Sequence, residues 1–325
     1  MSGKSYWKRL LRLFYHYRKK NTLLPYMPIR LWVELTSHCN YRCTMCPNQN
    51  LSKEEKGYMS FDLYRKIIDE AAEFTFEINL AHRGESLLHS RIAEMTEYAA
   101  QKGLFTRLHT NGSLLDDDLS RGLIQAGLDR ISFSFDGFDK ETYQKIRTGG
   151  NFDKTAANIR RFLEIKKEYG SRKPVVAIEV INLNQYTGEE LKQKKDQFTK
   201  RFDNLPLDQF LLKEPHNWAG RMEGKKESGH YCLCPFPWNA LVIFWNGDVF
   251  PCPQDFFGTY GLGNAGKQPL REIWNSPRMV LLRKKLTRGQ VKDISACCQC
   301  DRLWRKGFLG VPKEYLWKYI TKKMP

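Results

Sequence analysis

The sequence predicts an α/β fold: a partial (β/α)6 barrel followed by a small α+β domain built on a β-hairpin. Three observations carry this. Apolar, β-rich runs alternate with amphipathic helical stretches from residue 31 to residue 213. The alternation stops at a charged, glycine-bounded stretch, 220–229. Beyond it, Asn246 and Gly247 lie between two β-rich runs, the signal of a tight hairpin turn. Regular alternation implies a parallel sheet with right-handed crossovers. Six units rather than eight imply an open barrel of the TIM type, with functional residues at the C-terminal strand ends. The expected divisions are a basic amphipathic extension (1–29), the barrel (30–220), the small domain (221–305) and a basic C-terminal helix (306–325).

The elements follow in order. Over 5–20, Trp7, Leu10, Leu11 and Phe14 recur at helical spacing among Lys8, Arg9, Arg12 and Arg18. Such a helix could lie on a membrane surface, or pack against the barrel with its charges solvated. Pro25 and Pro28 mark a linker into the first strand, the run from Leu31 to Thr36. Helices are expected over 61–74 behind a Ser60 cap, 89–102, 116–126, 140–147, 152–169 and 189–202. Strands are expected over 76–82, 105–110, 130–135, 175–181 and 209–213. In the small domain the hairpin pairs 240–245 with 248–250, and a helical stretch covers 269–288.

Composition narrows the class. With 41% hydrophobic residues the chain can bury a core, which excludes global disorder. Nine clustered cysteines suit a reducing cytoplasm better than a secreted disulfide scaffold. No apolar run reaches the ~18 residues of a membrane span, and no signal peptide is visible. The net charge of +17, concentrated at the two ends, favours acidic partners: phosphorylated substrates, nucleic acid, or an anionic membrane surface at which a cytoplasmic protein could be peripheral. No recognised nucleic-acid module is present, so no nucleic acid is expected as a partner.

Cys39, Cys43 and Cys46 follow the first strand directly, at the face where a barrel carries its chemistry. Three thiolates on one tight loop can hold three irons of a cubane cluster and leave the fourth iron open. The plainer readings are a zinc loop lacking a ligand, or reduced thiols with no metal. This stretch resembles the signature of the radical S-adenosylmethionine (radical SAM) superfamily. The resemblance covers residues 30–305.

The resemblance implies a [4Fe–4S] cluster whose open iron is chelated by S-adenosylmethionine, AdoMet. It implies that Gly84 and Glu85, after the second strand, bind the methionine amino group, although Arg83 and Ser86 depart from the common Gly-Gly-Glu-Pro turn. Asn111 lies in a Thr-Asn-Gly ending, and Ser134 and Asp136 in a Ser-x-Asp-Gly ending suited to ribose hydroxyls. Arg147 resembles an arginine that pairs with the AdoMet carboxylate, a chemically apt fork. Met45 stands near the adenine, where the family often has an aromatic residue. His216, beyond the sixth strand, is a candidate base, since imidazole titrates near neutrality.

Six further cysteines lie beyond residue 220. Cys234, Cys252, Cys297 and Cys300 can converge around the hairpin. With Trp245, Asp248, Asn264 and Trp274 the region resembles the SPASM/Twitch auxiliary-cluster domain, implying one auxiliary [4Fe–4S] cluster. Cys298 could replace Cys297, Cys232 is left over, and a four-thiolate zinc fits the same ligands.

The resemblance thus implies an oxidoreductase that cleaves AdoMet reductively to a 5′-deoxyadenosyl radical. An external reductant such as flavodoxin or ferredoxin supplies one electron, and the auxiliary cluster accepts the substrate's second. Fewer than 30 residues precede the barrel, which favours a sugar-like, phosphorylated or lipid-linked small molecule, oxidised or epimerised, over a peptide or protein substrate. The alternatives are a maturase of peptides, or a zinc-containing binder of nucleic acid or membrane.

Overall fold

The computed structural model describes residues 3–183, 186–222 and 230–304, and the backbone alone of 307–308 and 311–312. It opens with α1 (Gly3–Arg18). Then come β1 (Arg30–Val33), α2 (Phe61–Ala72), β2 (Glu77–Asn79), α3 (Ile92–Gln101), β3 (Phe105–Thr110) and α4 (Asp117–Gln125). There follow β4 (Arg130–Ser134), α5 (Lys140–Ile146), α6 (Phe152–Glu168), β5 (Val175–Ile181), α7 (Gly188–Thr199) and β6 (Gln209–Lys213). The remainder holds α8 (Phe236–Asn239), β7 (Ala240–Ile243), β8 (Asp248–Phe250), β9 (Gly263–Asn264), α9 (Leu270–Trp274), α10 (Pro277–Thr287), β10 (Gly307–Phe308) and β11 (Val311–Pro312). Two compact units result. A barrel unit takes 30–215 and 243–247; a terminal unit takes 1–29, 216–242 and 248–325.

In the barrel unit six strands run in the order β6-β5-β4-β3-β2-β1, all parallel. Alternation sets the two faces. Leu31, Ile78, Leu108, Ile131, Val176 and Ile178 are fully buried on one face, and Ile67, Met95, Leu123, Ile159 and Phe162 from the helices are buried with them. Each such side chain contributes about 1.5–3 kcal/mol. The opposite face of the same strands carries Arg30, Glu77, Asn79, Arg107, Arg130 and Glu179. It forms the polar interior of the open barrel.

The helix starts have local causes. Ser60, Asp116, Asp139 and Asn151 each accept a hydrogen bond from a first-turn N–H, at Leu63, Leu119, Thr142 and Lys154. Several expected bounds shift. β2 ends at Asn79 rather than residue 82, because His82 and Arg83 turn away to a buried partner. α3 begins at Ile92 rather than residue 89, since the His89 ring is held at the Met59 carbonyl, 3.0 Å away. α7 closes at Thr199, where a 3-10 turn takes over.

The terminal unit combines both ends of the chain. α1 belongs to the same unit as the small domain. Its buried residues are Tyr6, Leu13 and Tyr17, while Leu11 and Tyr15 are exposed. The Tyr17 hydroxyl donates to the Leu233 carbonyl at 2.5 Å and its ring meets Trp238 edge-on. The expected 269–288 helix is two helices. Pro277 starts α10 behind a Ser276 cap, and Asn275 between them bonds both the N–H and the carbonyl of Leu24. β8 and β9 are antiparallel, and Gly247 adopts the positive φ that the hairpin turn requires. Of the helix expected over 306–325, the described part is the antiparallel pair β10–β11. The rest of that expectation, and residues 223–229 of the expected boundary, lie outside the described residues. No helix among the described residues is long and apolar enough to cross a membrane.

Arg283 on α10 holds this unit together. It is fully buried and donates to the carbonyls of Pro237, Thr22 and Trp274 and to Asn275 Oδ1, at 2.8–3.0 Å. Its guanidinium lies 4.4 Å from the Trp274 ring centroid. Carbonyl dipoles and an aromatic face replace a counter-ion, and burial pushes its pKa down to about 9. Arg283→Leu leaves several buried carbonyls unsatisfied at about 1–3 kcal/mol each. Urea denaturation should show a loss above 2 kcal/mol, with tryptic cleavage after Lys19 or Lys20 accelerated.

Candidate functional site

The cysteine loop hangs between the ends of β1 and β2, and a buried ion pair sets their spacing. Arg83 Nε and Nη2 donate to the two oxygens of Glu34 at 2.6 and 2.8 Å, beneath the Phe244 ring. Burial works to raise the Glu34 pKa; Arg83 and His82 outweigh it and hold Glu34 below the usual glutamate value. This explains why Arg83 departs from the common turn. Next to it, a Cβ on Gly84 would overlap the carbonyls of Thr36 and His38, so the turn can pass under the loop only as glycine. The Glu85 N–H then donates to the His38 carbonyl at 2.8 Å. Asn48 closes the far end, donating to the carbonyls of Ser37 and Arg83.

The loop is also tied to the other strand ends. The N–H groups of Arg42 and Thr44 donate to the carbonyls of Thr148 and Ile146. Asn40 accepts from Asn111 Nδ2 and donates to Ser113 Oγ, both at 2.9 Å. Glu85 is fully buried and accepts from Asn111 N, Thr110 Oγ1 and Leu87 N. Burial pushes its carboxyl up against those donors.

Cys43 is buried, and Cys39 and Cys46 are half-buried. Burial, with each thiol in the field of the others, pushes Cys39 up to about 12 and Cys46 up to about 11. Arg147 Nη1 lies 3.9 Å from Cys43 Sγ, and its Nη2 donates to Asp136 Oδ2 at 2.6 Å. Arg147 Nε is buried without a hydrogen-bond partner among the described residues. Three thiols beside a cation with a donor to spare fit an anionic cluster and a carboxylate-bearing ligand. Asp136 is engaged in this structure, since its other oxygen accepts from Ile181 N. Ser134 and Met45 are half-buried at the same end of the barrel unit. His216 falls in the terminal unit, its ring 4.4 Å from that of Trp218.

Sequence reasoning missed a second polar cluster. Glu179 on β5 is the ion-pair partner of Lys213 on β6, and His109 Nδ1 on β3 lies 3.5 Å from its Oε2. These residues stand near the C-terminal ends of their strands, where a barrel carries its chemistry. A charge inside an otherwise apolar strand, in phase with the interior face, is the signal that could have found them. Burial pushes Glu179 up, but His109 and Lys213 outweigh it and hold it well below the usual range. A carboxylate with a depressed folded pKa stabilises the fold above its unfolded value, about 4.3. That stabilisation is lost as pH falls below this value. Denaturation midpoints measured from pH 7 to pH 3 should therefore fall more steeply for wild type than for Glu179→Gln.

In the terminal unit Cys234, Cys252, Cys297 and Cys300 share one neighbourhood. Burial raises the Cys252, Cys297 and Cys300 thiols, and the other thiols of the set raise them further. The tight turn of 294–300 directs Cys297 and Cys300 inward and leaves Cys298 exposed, its Sγ 3.8 Å from the Ser295 carbonyl. Cys232 is buried with its N–H on the Leu303 carbonyl. Four neighbouring thiols, Cys300 buried and the other three half-buried, fit a fully thiolate-ligated cluster. Among the described residues no group of three or more His, Cys, Asp or Glu is placed to hold a single metal ion.

Comparison with known proteins agrees with this geometry. The model described as Radical SAM superfamily matches residues 33–193, and SPASM, an iron–sulfur cluster-binding domain, matches 232–301. An AdoMet-dependent heme synthase of Methanosarcina barkeri is 35% identical over 312 residues, covering 83% of this chain and 88% of that protein. Two solved structures share the fold. One is BtrN in complex with AdoMet and 2-DOIA, with TM-score 0.56 and 19% identity, covering 84% of this chain and 93% of that one. The other is SuiB of Streptococcus suis bound to precursor peptide SuiA, with TM-score 0.66 and 15% identity, covering 91% and 74%. The cofactors are accordingly an AdoMet-bound [4Fe–4S] cluster and an auxiliary iron–sulfur cluster. Iron analysis after anaerobic reconstitution should give about eight irons per chain, falling to about four in Cys43→Ala and in Cys297→Ala. Cys298→Ala should keep about eight.

Proposed function

The chain belongs to the radical SAM superfamily and carries a SPASM domain, and on that premise we propose that it oxidises a hydroxylated small molecule, sugar-like or phosphorylated, using the auxiliary cluster as electron acceptor. When bound, the AdoMet-ligated cluster, reduced by a small electron-transfer protein, would supply a 5′-deoxyadenosyl radical for hydrogen-atom removal from the substrate. Cys39, Cys43 and Cys46 would hold that cluster. Gly84, Glu85, Asn111, Ser134 and Met45 would surround AdoMet, with Arg147 turned to its carboxylate and Asp136 orienting Arg147. Cys234, Cys252, Cys297 and Cys300 would hold the auxiliary cluster, which offers no open position to a second AdoMet.

The observation that carries the reading is the His109–Glu179–Lys213 cluster. Oxidation of an alcohol to a ketone needs a base for the hydroxyl proton. Glu179, ion-paired with Lys213, stands 3.5 Å from His109 Nδ1 and would orient the ring to take that proton. His109 therefore replaces His216 as the proposed base. The name of the heme synthase is that of a protein that makes a small molecule, which supports the same choice.

Reconstituted enzyme with AdoMet and dithionite should release 5′-deoxyadenosine in step with oxidised product when given hydroxylated small molecules. Turnover with peptides alone would overturn the reading. His109→Asn should lower product formation by about 10²-fold or more while abortive AdoMet cleavage persists. Equal loss of both would remove His109 from the role.

A further inference from the structure

The interior face of the barrel holds buried polar atoms that the fold leaves unsatisfied. The strand register pairs Asn79 with Arg107 and Arg107 with Arg130, and sets Ser132 beside His109, so all five project from one face. Asn79 Oδ1, Arg107 Nη2, Arg130 Nε and Ser132 Oγ are each buried with no hydrogen-bond partner among the described residues. Arg107 Nε stands 3.2 Å from Glu77 Oε1 without hydrogen-bond geometry. Native folds pair nearly all such groups, and a cluster of exceptions at one spot calls for a missing partner.

Charge identifies that partner. Arg30, Arg107 and Arg130 share this layer with one carboxylate, Glu77, which Arg30 Nη2 already engages at 2.9 Å. Arg130 Nη2 donates to the neutral Gln209 at 2.6 Å. The other interior carboxylate, Glu179, is taken by Lys213 and His109. Burial pushes both Arg107 and Arg130 down, and they repel one another. Glu77 is thus shared between Arg30 and Arg107, and Arg130 has no ion pair among the described residues; buried guanidiniums short of counter-charge are costly, and their fork matches a carboxylate or phosphate.

We infer that Arg107 and Arg130 bind an oxyanionic group of the substrate, a carboxylate or a phosphate, with Asn79 and Ser132 completing its polar shell. This rests on the reading of the barrel interior as the substrate site. It also sets a length. Arg107 lies three residues below Thr110, about 10 Å at ~3.3 Å per residue. The reacting carbon, at the strand ends, would stand that far from the acidic group. The substrate class is an elongated acid or phosphate ester whose hydroxylated end is remote from its charge.

The test is thermal denaturation of the reconstituted full chain in low-anion buffer, titrated with sodium phosphate or sodium succinate against sodium chloride of equal ionic strength. At least one should raise the wild-type Tm saturably, as a ligand of the folded state must. The arm that does so separates phosphate from carboxylate. Arg107→Met and Arg130→Met should be as stable as wild type without the anion, or more so, and should bind it at least tenfold more weakly. Arg107→Lys and Arg130→Lys, which keep the charge and lose the fork, should fall between. No shift beyond chloride, or equal shifts in wild type and variants, overturns the inference. Release of 5′-deoxyadenosine from the same preparations keeps the two readings apart. Cleavage without anion binding sinks only this inference, and anion binding without cleavage sinks only the proposed function.

Discussion

Two charges that never meet water decide where the chemistry of the barrel unit can happen. Glu34 directly follows the first strand and Arg83 lies in the turn after the second, and their bidentate contact fixes the gap between those strand ends. Everything in that gap inherits its position from it. The cysteine loop leaves from Glu34; Gly84 and Glu85 follow Arg83; both segments touch through the His38 carbonyl. A neutral pair of the same size would fill the space but would not impose the same alignment, because only the planar fork matches two carboxylate oxygens at once. Desolvating both groups is expensive, and the surrounding contacts offset it: the Phe244 face over Arg83, and His82 beside Glu34.

The two sets of cysteines illustrate two ways of preparing a metal site. The three in the barrel unit sit on a loop with little secondary structure of its own, pinned by backbone bonds to Ile146 and Thr148 and by Asn40 and Asn48. A cation, Arg147, lies within reach of one thiol. In the terminal unit the thiols raise one another, and Arg302 acts on Cys300 with Asp301 beside it to oppose the effect. The first environment accommodates a charged ligand besides the cluster.

Features set by local rules were legible in the sequence; those set by distant partners were not. Strand–helix alternation, the Ser60 cap and the cysteine spacing each depend on residues a few positions apart, and the family resemblance rests on such motifs. The match of Glu34 with Arg83 depends on residues 49 positions apart, and no periodicity announces it. His109 and Glu179 looked like ordinary strand residues, because a polar residue in a strand marks the solvent side as often as an enclosed interior. The N-terminal helix was legible as a helix, but its buried stripe is Tyr6, Leu13 and Tyr17 rather than Trp7, Leu10 and Phe14, since the surface that covers it comes from far along the chain. Pro277 behind Ser276 was a visible break within 269–288, read through because the apolar pattern continued across it.

The contacts of residues 22–26 with residues 238–283 constrain the order of folding. Thr22, Leu24 and Tyr26 are synthesised well before their hydrogen-bond partners in residues 238–283 and must wait for them. The barrel's strands, synthesised in between, have all six members in hand before those partners exist. A nascent chain can thus pair its parallel strands while residues 22–26 still wait for partners more than 200 positions away.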